Sequence, residues 1–199
     1  MPQIPENSPY SQLKQYVSQW APFSATELQW LEKQFVYREV PRKFSLIREG
    51  EIAHEVYFIN KGCLRLYYSK EGDEVTAFIF LENLFATALD SLLQQTPSQQ
   101  NLETLEDSEL LVIDHNNFQR MYAHSVNFQM MGRRVAEQRF INAQRILSSY
   151  ILDSPEERYQ KLLQSQPEWF QRVPQHYIAS FLGITPVSLS RIRKRIMPD

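Results

Sequence analysis

Residues 173–196 read VPQHYIASFLGITPVSLSRIRKRI, and this stretch predicts two short helices joined by a tight turn. Gly183 suits the left-handed backbone that often ends a helix. Thr185 then caps a second helix, and Pro186 fits its first position because no amide donor is required there. The side chains expected to face inward are small or apolar and have helical spacing: Ile178, Ala179, Leu182, Leu189 and Ile192. The pattern is that of a helix-turn-helix motif.

The second helix directs a basic surface outward. Arg191 is placed where its guanidinium group can make paired hydrogen bonds to guanine. Lys194 and Arg195 suit phosphates, which position a protein on DNA without reading its sequence. The residues predicted to bind DNA are Thr185, Pro186, Val187, Ser188, Ser190, Arg191, Lys194 and Arg195. The pattern alone leaves open an ordinary helical hairpin with a solvated basic face.

The charge of the chain is divided between two parts. The net charge is only −2, and 43% of the residues are hydrophobic, as in ordinary packed proteins. Residues 1–115 carry nine basic and 17 acidic side chains, a net charge of −8. Residues 116–199 carry 12 and six, a net charge of +6. We therefore expect two separate tasks, with the basic part binding a polyanion.

The single cysteine, Cys63, excludes an internal disulfide and indicates a reducing compartment. It also argues against a cysteine-ligated iron–sulfur or zinc site. The first 15 residues lack the basic and apolar regions of a signal peptide. The sequence contains no run of 18 apolar residues, so no membrane span is predicted. We expect a cytoplasmic protein that does not bind a membrane. Residues 2–9 are rich in proline and polar side chains and are expected to be loosely ordered.

Two helical patterns precede a region of short strands. Residues 10–20 and 25–35 have apolar side chains at helical spacing, the second after Ser24 as a cap. The predicted strands are Phe44–Ile47, Val56–Ile59, Leu64–Tyr68, Val75–Phe80, Leu102–Leu105 and Leu110–Ile113. Glycines and charged turns separate them, which is typical of an antiparallel barrel or sandwich. The whole chain is therefore expected to have an α+β fold.

A helical pattern at residues 86–93 and a polar stretch at residues 94–101 interrupt the strands. An inserted helix and loop in a small barrel can form the wall of a ligand pocket, although a plain surface connection fits the composition equally well. The residues assigned to this pocket are Phe78, Phe85, Thr87, Ser98 and Gln99. The aromatic residues Phe78, Phe80 and Phe85 also fit a structural role in the barrel core.

A short helix capped by Asp114 and a long helix at residues 126–151 follow. At about 1.5 Å per residue the long helix spans roughly 39 Å. It has two apolar stripes: Phe128, Met131, Val135 and Ile146 form one, and Phe140, Leu147 and Tyr150 form the other. We expect one stripe to pack on the barrel and the other on the same helix of a second chain, because so small a barrel cannot cover both. The residues assigned to the homodimer interface are Phe128, Met131, Val135, Gln138 and Ile146. The alternative is a helix buried entirely within its own domain.

Ser154, Pro155 and Glu157 form the start signal of a further helix, a capping box with proline at the first position. We predict this helix over residues 155–163 and expect Trp169 and Phe170 to anchor it beneath the terminal hairpin. The predicted organisation is an effector domain (1–125), a dimerisation helix (126–152) and a DNA-binding domain (153–199).

With this order of elements, nearly the whole chain resembles the cyclic-AMP receptor protein / fumarate–nitrate reductase regulator (Crp/Fnr) family of bacterial transcription factors. The motifs that carry the resemblance are Arg48–Glu51, Val56–Gly62, Arg65, Glu157–Tyr159, Ile178–Thr185 and Ser190–Ile192. The resemblance implies a jelly-roll barrel like a cyclic-nucleotide-binding domain and dimerisation through the long helix. It also implies DNA binding by paired helix-turn-helix motifs, with RNA polymerase as a further partner.

The sequence departs from the family pattern at the residues that bind the nucleotide and at two of the residues that read the operator. Nucleotide-binding members carry Gly-Glu at the inserted helix and an Arg before a later Ser/Thr-Ala, where this chain has residues 85–89 (FATAL) and 97–101 (PSQQN). A buried phosphate without a cation is unfavourable, so cyclic AMP is not expected to bind in the family's way. Arg191 matches the family's base-reading arginine, but Pro186 and Val187 replace an Arg and a Glu, so the target sequence should differ. The chain stops at Asp199, and the wing that usually follows is expected to be missing or minimal.

Other chemistry finds little support in the sequence. The four histidines, His54, His115, His124 and His176, lack metal-ligand spacing. Glycine occurs only five times, without a phosphate-binding loop. The acidic residues Glu103, Glu106, Asp107 and Glu109 are interpreted as a solvated edge rather than a catalytic pair. We expect no catalytic site, no metal site and no enzyme activity.

Two functions remain open from the sequence. The first is a homodimeric transcriptional regulator that binds a pseudo-palindromic operator on double-stranded DNA and carries a small-molecule sensor barrel. The second is a ligand-binding sensor whose terminal hairpin contacts another protein. Steeply salt-dependent binding to duplex DNA is expected only of the first.

Overall fold

The computed structural model describes residues 8–196 of the chain. Its first helices are α1 (Ser11–Ser18) and α2 (Ala25–Glu32), at the two places where helical patterns were predicted. Ser24 caps α2, and Glu27 completes a capping box with it. Of the loose segment predicted at residues 2–9, positions 2–7 lie outside the described residues.

The strands form two four-stranded antiparallel sheets, and together with the helices they give the α+β fold that the sequence predicts. They are β1 (Val36–Val40), β2 (Ser45–Ile47), β3 (Glu55–Lys61), β4 (Leu64–Lys70), β5 (Asp73–Phe80), β6 (Phe85–Ala86), β7 (Asn101–Thr104) and β8 (Ser108–Asp114). The strand order is β1-β8-β3-β6 in one sheet and β2-β7-β4-β5 in the other. Consecutive strands thus alternate between the sheets at several points, which is the arrangement of a jelly roll. We call this part of the molecule the barrel.

Two strands differ from the prediction. The segment VYREV forms β1 although Arg38 and Glu39 weaken its apolar signal, because it pairs along its whole length with β8. The helix predicted from residue 86 begins only at Leu89, as α3 (Leu89–Gln94). Phe85 and Ala86 instead pair with Phe58 and Tyr57 as β6, so cross-strand pairing overrides the helical pattern there.

The second half of the described chain is helical. Its elements are α4 (His115–His124), α5 (Val126–Leu152), α6 (Pro155–Ser165), α7 (Trp169–Arg172), α8 (Gln175–Phe181) and α9 (Pro186–Ile196). Asp114 caps α4 with its carboxylate, as predicted. The long helix α5 has 27 residues and is therefore about 40 Å long. None of the helices within residues 8–196 combines the length and the hydropathy needed to cross a bilayer.

Two hydrophobic clusters hold these elements together. The first lies between the two sheets and extends to α1, α2 and the start of α5. The second joins α6–α9 to three residues of the barrel, Cys63, Ile79 and Leu105. The terminal helices are therefore packed against the barrel, and the structure places a shared core between them.

Candidate nucleic-acid interface

The corner between α8 and α9 is built as the sequence indicates. Gly183 has a positive φ of 68°, and the Ile184 N–H donates to the Ala179 carbonyl oxygen at 3.0 Å, the closing bond of a helix C-cap. A Cβ atom at residue 183 would lie 3.0 Å from Cε1 of Tyr150. The positive φ therefore favours glycine here, and a Cβ atom would in addition require the Tyr150 ring to shift by a few tenths of an ångström. Ala179 is fully buried, which lets the two helices approach closely.

Capping and apolar packing fix the orientation of α9. The Ser188 N–H donates to the Thr185 hydroxyl oxygen at 3.2 Å, and Pro186 takes the first helical position. Leu189 and Ile192 are buried, as predicted, among the apolar side chains of α6 and α8. One side of α9 is thus held inward. The prediction about a wing concerns residues beyond Ile196, which lie outside the described residues.

The outward side of α9 carries most of the residues predicted to bind DNA. Thr185, Pro186, Val187, Ser190, Arg191, Lys194 and Arg195 are exposed, and Ser188 is half-buried. The Ser188 hydroxyl is 3.0 Å from that of Thr185, so these two side chains serve the helix start. Arg195 lies 3.2 Å from a carboxylate oxygen of Glu156. Ser190, Arg191 and Lys194 are therefore exposed side chains of α9 that make no side-chain hydrogen bond or ion pair within residues 8–196.

The charge on this surface has one sign. α9 contains four basic side chains and no acidic one. Between residues 8 and 196, Arg195 is the only one of these four with a partner carboxylate, and Arg191, Arg193 and Lys194 form no ion pair. A helix face with an exposed arginine fork and neighbouring cations is chemically suited to phosphate oxygens and guanine edges.

The predicted support beneath the hairpin is also present. Ser154 and Glu157 form a capping box at the start of α6. The ring of Trp169 lies 5.0 Å from that of Phe181 in α8, and the ring of Phe170 lies 5.3 Å from that of Tyr159 in α6. These aromatic contacts connect α6, α7 and α8 into the platform on which α9 lies.

The structure divides the two apolar stripes of α5 differently from the dimer assignment. Phe128 has 0% of its surface exposed and Met131 is also buried, both in the core of the chain's own barrel. Val135 packs partly against that core, and Ile146 is half-buried. Phe128 and Met131 are thus unavailable to a second chain, which corrects their assignment to the dimer interface. Gln138 is exposed but hydrogen-bonds to Asn142 on its own helix.

The other stripe of α5 is exposed, and Tyr150 at its end also contacts the α8–α9 corner, where its hydroxyl donates to the Phe181 carbonyl oxygen. Its members alternate four and three residues apart: Ala136, Phe140, Ala143, Leu147 and Tyr150. Phe140 and Leu147 have 64% and 61% of their surface exposed, and Ile151 beside them has 71%. We call these five residues and Ile151 the seam. Alternating spacing of four and three residues is the signature of a helix that pairs with another helix. The sequence contains this alternating pattern, but the pattern becomes visible only when Ala136 and Ala143 are counted together with the large apolar residues.

The predicted pocket residues have different immediate contacts. Phe78 packs on Phe80 with ring centroids 4.8 Å apart, whereas Phe85 packs between Tyr16 and Phe58. The Thr87 hydroxyl donates to the Glu55 carbonyl oxygen at 2.9 Å. Ser98 donates to the Gln100 carbonyl oxygen at 2.8 Å, while Gln99 is exposed. The hydroxyl groups of the inserted segment therefore serve the chain's own backbone.

The acidic cluster of the β7–β8 region differs from its prediction as a solvated edge. Glu103 is bound by the buried Arg65, and Glu106 by Arg172 of α7. Only Asp107 of the four acidic residues is exposed. The difference arises from tertiary packing, because α7 and α8 cover this part of the barrel. The sequence alone does not indicate where these two helices pack. Among residues 8–196, no group of three or more His, Cys, Asp or Glu side chains is arranged as a metal site.

Comparison with known proteins finds the same fold. Residues 37–125 match the family model of the cyclic nucleotide-binding domain, a range that covers most of the barrel and α4. No curated protein sequence matches the chain.

Several solved regulator structures superpose on most of the chain. A c-di-GMP responsive global regulator, CLP, from Xanthomonas campestris has a TM-score of 0.67 at 18% identity, over 87% of this chain and 91% of its own. A regulator of the Crp/Fnr family from Eubacterium rectale has a TM-score of 0.69 at 14% identity, over 92% and 87%. The catabolite activator protein of Thermus thermophilus has a TM-score of 0.57 at 17% identity, over 91% and 86%. These superpositions confirm the fold that the resemblance implies. The family model confirms that the barrel is similar to a cyclic nucleotide-binding domain.

Proposed function

We propose that this protein, which has the fold of the Crp/Fnr regulators, is a sequence-specific DNA-binding transcriptional regulator that acts as a homodimer. The observation that carries the proposal is the outward face of α9, where Ser190, Arg191 and Lys194 are exposed while Leu189 and Ile192 hold the opposite face inward. In this proposal α8 and α9 are a helix-turn-helix motif and α9 is the recognition helix.

The residues of α9 have different roles in this proposal. Arg191 reads a base edge, because its planar fork can donate two hydrogen bonds to guanine. Lys194 and Arg195 contact phosphates and position the helix without reading the sequence. Val187, with 60% of its surface exposed, presents a methyl surface suited to a thymine methyl group.

The dimer in this proposal forms along the seam of α5. An exposed apolar stripe of this size on a helix about 40 Å long is unfavourable in water. A parallel partner helix buries it and brings two recognition helices together. Paired helices of this kind contact half-sites about 34–36 Å apart, so the operator is expected to be a pseudo-palindrome. The division into residues 1–125, 126–152 and 153–199 follows from these three roles.

The barrel is proposed as a sensor that does not bind cyclic AMP in the family's way. The hydroxyl groups of Thr87, Ser91 and Ser98 are engaged by the chain's own backbone, and residues 85–101 contain no basic side chain that could pair with a phosphate. Its effector is a different small molecule, if the barrel binds one. The resemblance also implies contact with RNA polymerase, and this stays a prediction.

Selection from a random-sequence duplex library tests the proposed function. The purified protein is expected to enrich one inverted repeat, bound by two chains per duplex. Enrichment of no common sequence, at salt concentrations from about 50 to 200 mM, would count against DNA recognition. That result would favour the alternative, in which the α8–α9 hairpin contacts another protein.

Isothermal titration calorimetry tests the barrel separately. We expect no heat of binding with cyclic AMP or cyclic GMP, and no rise of the melting temperature. Saturable binding of either nucleotide would contradict the assignment of the barrel, while leaving the role of α9 intact.

A further inference from the structure

Arg65 is a charged residue on the outer side of β4, yet 0% of its side chain is exposed. Helix α8 covers it: the guanidinium carbon lies 3.6 Å from the ring centroid of Tyr177 on α8 and 4.0 Å from that of Tyr67 on β4. Its Nε donates to Glu103 at 2.8 Å, and its Nη2 also pairs with Glu74. Burying a cation is costly without such partners. Within the described residues, Nη1 of Arg65 has no hydrogen-bond partner. The barrel therefore carries a buried cation whose outer side is covered by Tyr177 of α8.

A second polar contact joins the same helix to the neighbouring strand. The Thr76 N–H donates to the Ser180 hydroxyl oxygen at 2.9 Å, and this hydroxyl donates to the Glu74 carbonyl oxygen at 3.0 Å. One side chain of α8 thus occupies both a donor and an acceptor of the β5 backbone. Such pairing depends on a fixed distance and angle between the helix and the strand.

A third contact comes from α7. The Nη1 and Nη2 atoms of Arg172 each donate to a Glu82 oxygen at 2.7 Å, and Nη2 also lies 2.7 Å from a Glu106 oxygen. Both carboxylates belong to the barrel. Bidentate arginine–carboxylate pairs are directional as well as strong. Three separate polar contacts therefore hold α7–α8 on one face of the barrel, over the shared core of Cys63, Ile79 and Leu105.

We propose that Arg65, Arg172 and Ser180 form an interdomain clamp that fixes the recognition helices at one separation in the dimer and thereby selects the spacing of the half-sites. The inference rests on the proposed function. The contacts that support it form a closed path through the chain. The start of α5 lies in the barrel core, and the barrel in turn holds α8. Tyr150, near the end of α5, contacts Gly183 at the corner between α8 and α9. The clamp leaves Arg191 exposed, so these are positioning residues and do not block the DNA-binding face.

The first variant changes only the barrel side of the clamp. In the double variant Glu82→Gln/Glu106→Gln, Arg172 loses both charged partners while α8 and α9 keep their sequence. The duplexes are the inverted repeat selected by the wild type, the same repeat with one to five base pairs added at its centre, and a single half-site. Ser180→Ala is a second variant that removes one hydroxyl group, and Arg172→Lys is the conservative variant that keeps a cation between the two acids.

The wild type is expected to prefer one spacing. The double variant and Ser180→Ala should lose about tenfold in affinity at that spacing, within the range that coupling between sites commonly reaches. Their preference among spacings should flatten, while their affinity for the single half-site stays unchanged. Arg172→Lys should retain most of the spacing preference. Hydrogen exchange of the Thr76 amide, which Ser180 protects, should accelerate in Ser180→Ala without DNA present.

Different contrary results would overturn the clamp alone or the proposed function together with it. An unchanged spacing preference in both clamp variants overturns the clamp alone, and so does a gain of affinity at the preferred spacing. An equal loss on the single half-site overturns it too, since the contacts would then merely stabilise the recognition helix. A wild type that binds no duplex in preference to another overturns the proposed function, and the clamp with it.

Discussion

Arg191 is the residue on which base recognition is expected to depend. It is exposed on α9, without a partner carboxylate within residues 8–196, and its fork can make paired bonds to one base. Arg191→Ala should therefore weaken binding to the selected duplex by about 1–3 kcal/mol and relax the choice of base at one position. Fluorescence anisotropy with single-base variants of the duplex measures both effects.

Two further substitutions separate reading from positioning. Lys194→Ala should weaken binding to all duplexes alike and reduce the salt slope by about one. Arg145→Ala removes the same charge from an exposed position on α5 and should leave discrimination unchanged. If Arg191→Ala kept full discrimination at every base pair, Arg191 would not be the reading residue.

Glu27 connects the start of α2 to the start of α5. The Ser125 hydroxyl donates to it at 2.5 Å and Asn127 at 3.2 Å, while Ser24 donates to its other oxygen at 2.8 Å. The hydrogen bond from Ser125, followed by those from Ser24 and Asn127, lowers the pKa of Glu27 to about 2 against the opposing effect of burial. These bonds to the ionised form stabilise the fold above the carboxyl's ordinary pKa, and the contribution disappears as the pH falls toward 2.

Glu27→Gln should therefore lower the free energy of unfolding by about 1 kcal/mol at pH 7, after allowance for partial exposure. The difference from the wild type should be nearly unchanged when urea denaturation is repeated at pH 5, and it should shrink at pH 4 and 3. Glu49→Gln, in an exposed turn, is the control and should show neither effect. A difference that stays constant across this pH range would show that the charge of Glu27 is not its cause.

Local signals could be predicted at the residue scale because they involve only near neighbours in the chain. The caps at Ser24, Asp114 and Ser154 and the corner at Gly183 all follow from backbone chemistry within a few residues. Arg65 could be assigned to a strand but not to a buried site, since its burial depends on Tyr177, more than a hundred positions away.

Among the secondary-structure elements, α5 gives the most direct prediction, because its seam is expected to form the dimer interface. Leu147 lies on it, whereas Gln138 lies nine residues earlier, two and a half turns away, on the opposite side of the helix. Leu147→Glu should disrupt the dimer, because it places a charge in an apolar helix pair. Gln138→Glu adds the same charge outside the seam and should leave the dimer intact. Analytical ultracentrifugation over a range of concentrations distinguishes them.

The opposite outcome would restore the original assignment of the interface. If Gln138→Glu produced monomers while Leu147→Glu did not, the stripe through Gln138 and Ile146 would be the dimer surface. The homodimer itself would be contradicted by a wild type that sediments as a single chain at all concentrations.

Periodicity predicted the long helix and six of the strands, but not which apolar stripe of α5 meets the barrel. Both stripes have helical spacing, and the choice depends on where Phe128 and Met131 enter the barrel core. Strand β6 was missed for a similar reason. FATAL has a helical composition, and only pairing with Phe58 and Tyr57 holds its first two residues extended.

For the whole molecule, the division of charge has two uses. The basic part of the chain presents three cationic side chains of α9 that form no ion pair within residues 8–196, and it also supplies Arg172, which binds Glu82 and Glu106 of the acidic part. The sequence predicted the first use from the cluster of basic residues. The second depends on how α7 lies on the barrel, and this is a property of the three-dimensional packing that composition does not encode.

Recognition of a DNA sequence by the paired α9 helices is tested most directly by the wild-type protein on two duplexes. Anisotropy titrations compare the selected inverted repeat with a scrambled duplex of equal length at several salt concentrations. We expect the repeat to bind at least about 10³-fold more tightly, with both affinities falling steeply as salt rises. Equal affinity for the two duplexes at every salt concentration would contradict sequence-specific DNA binding.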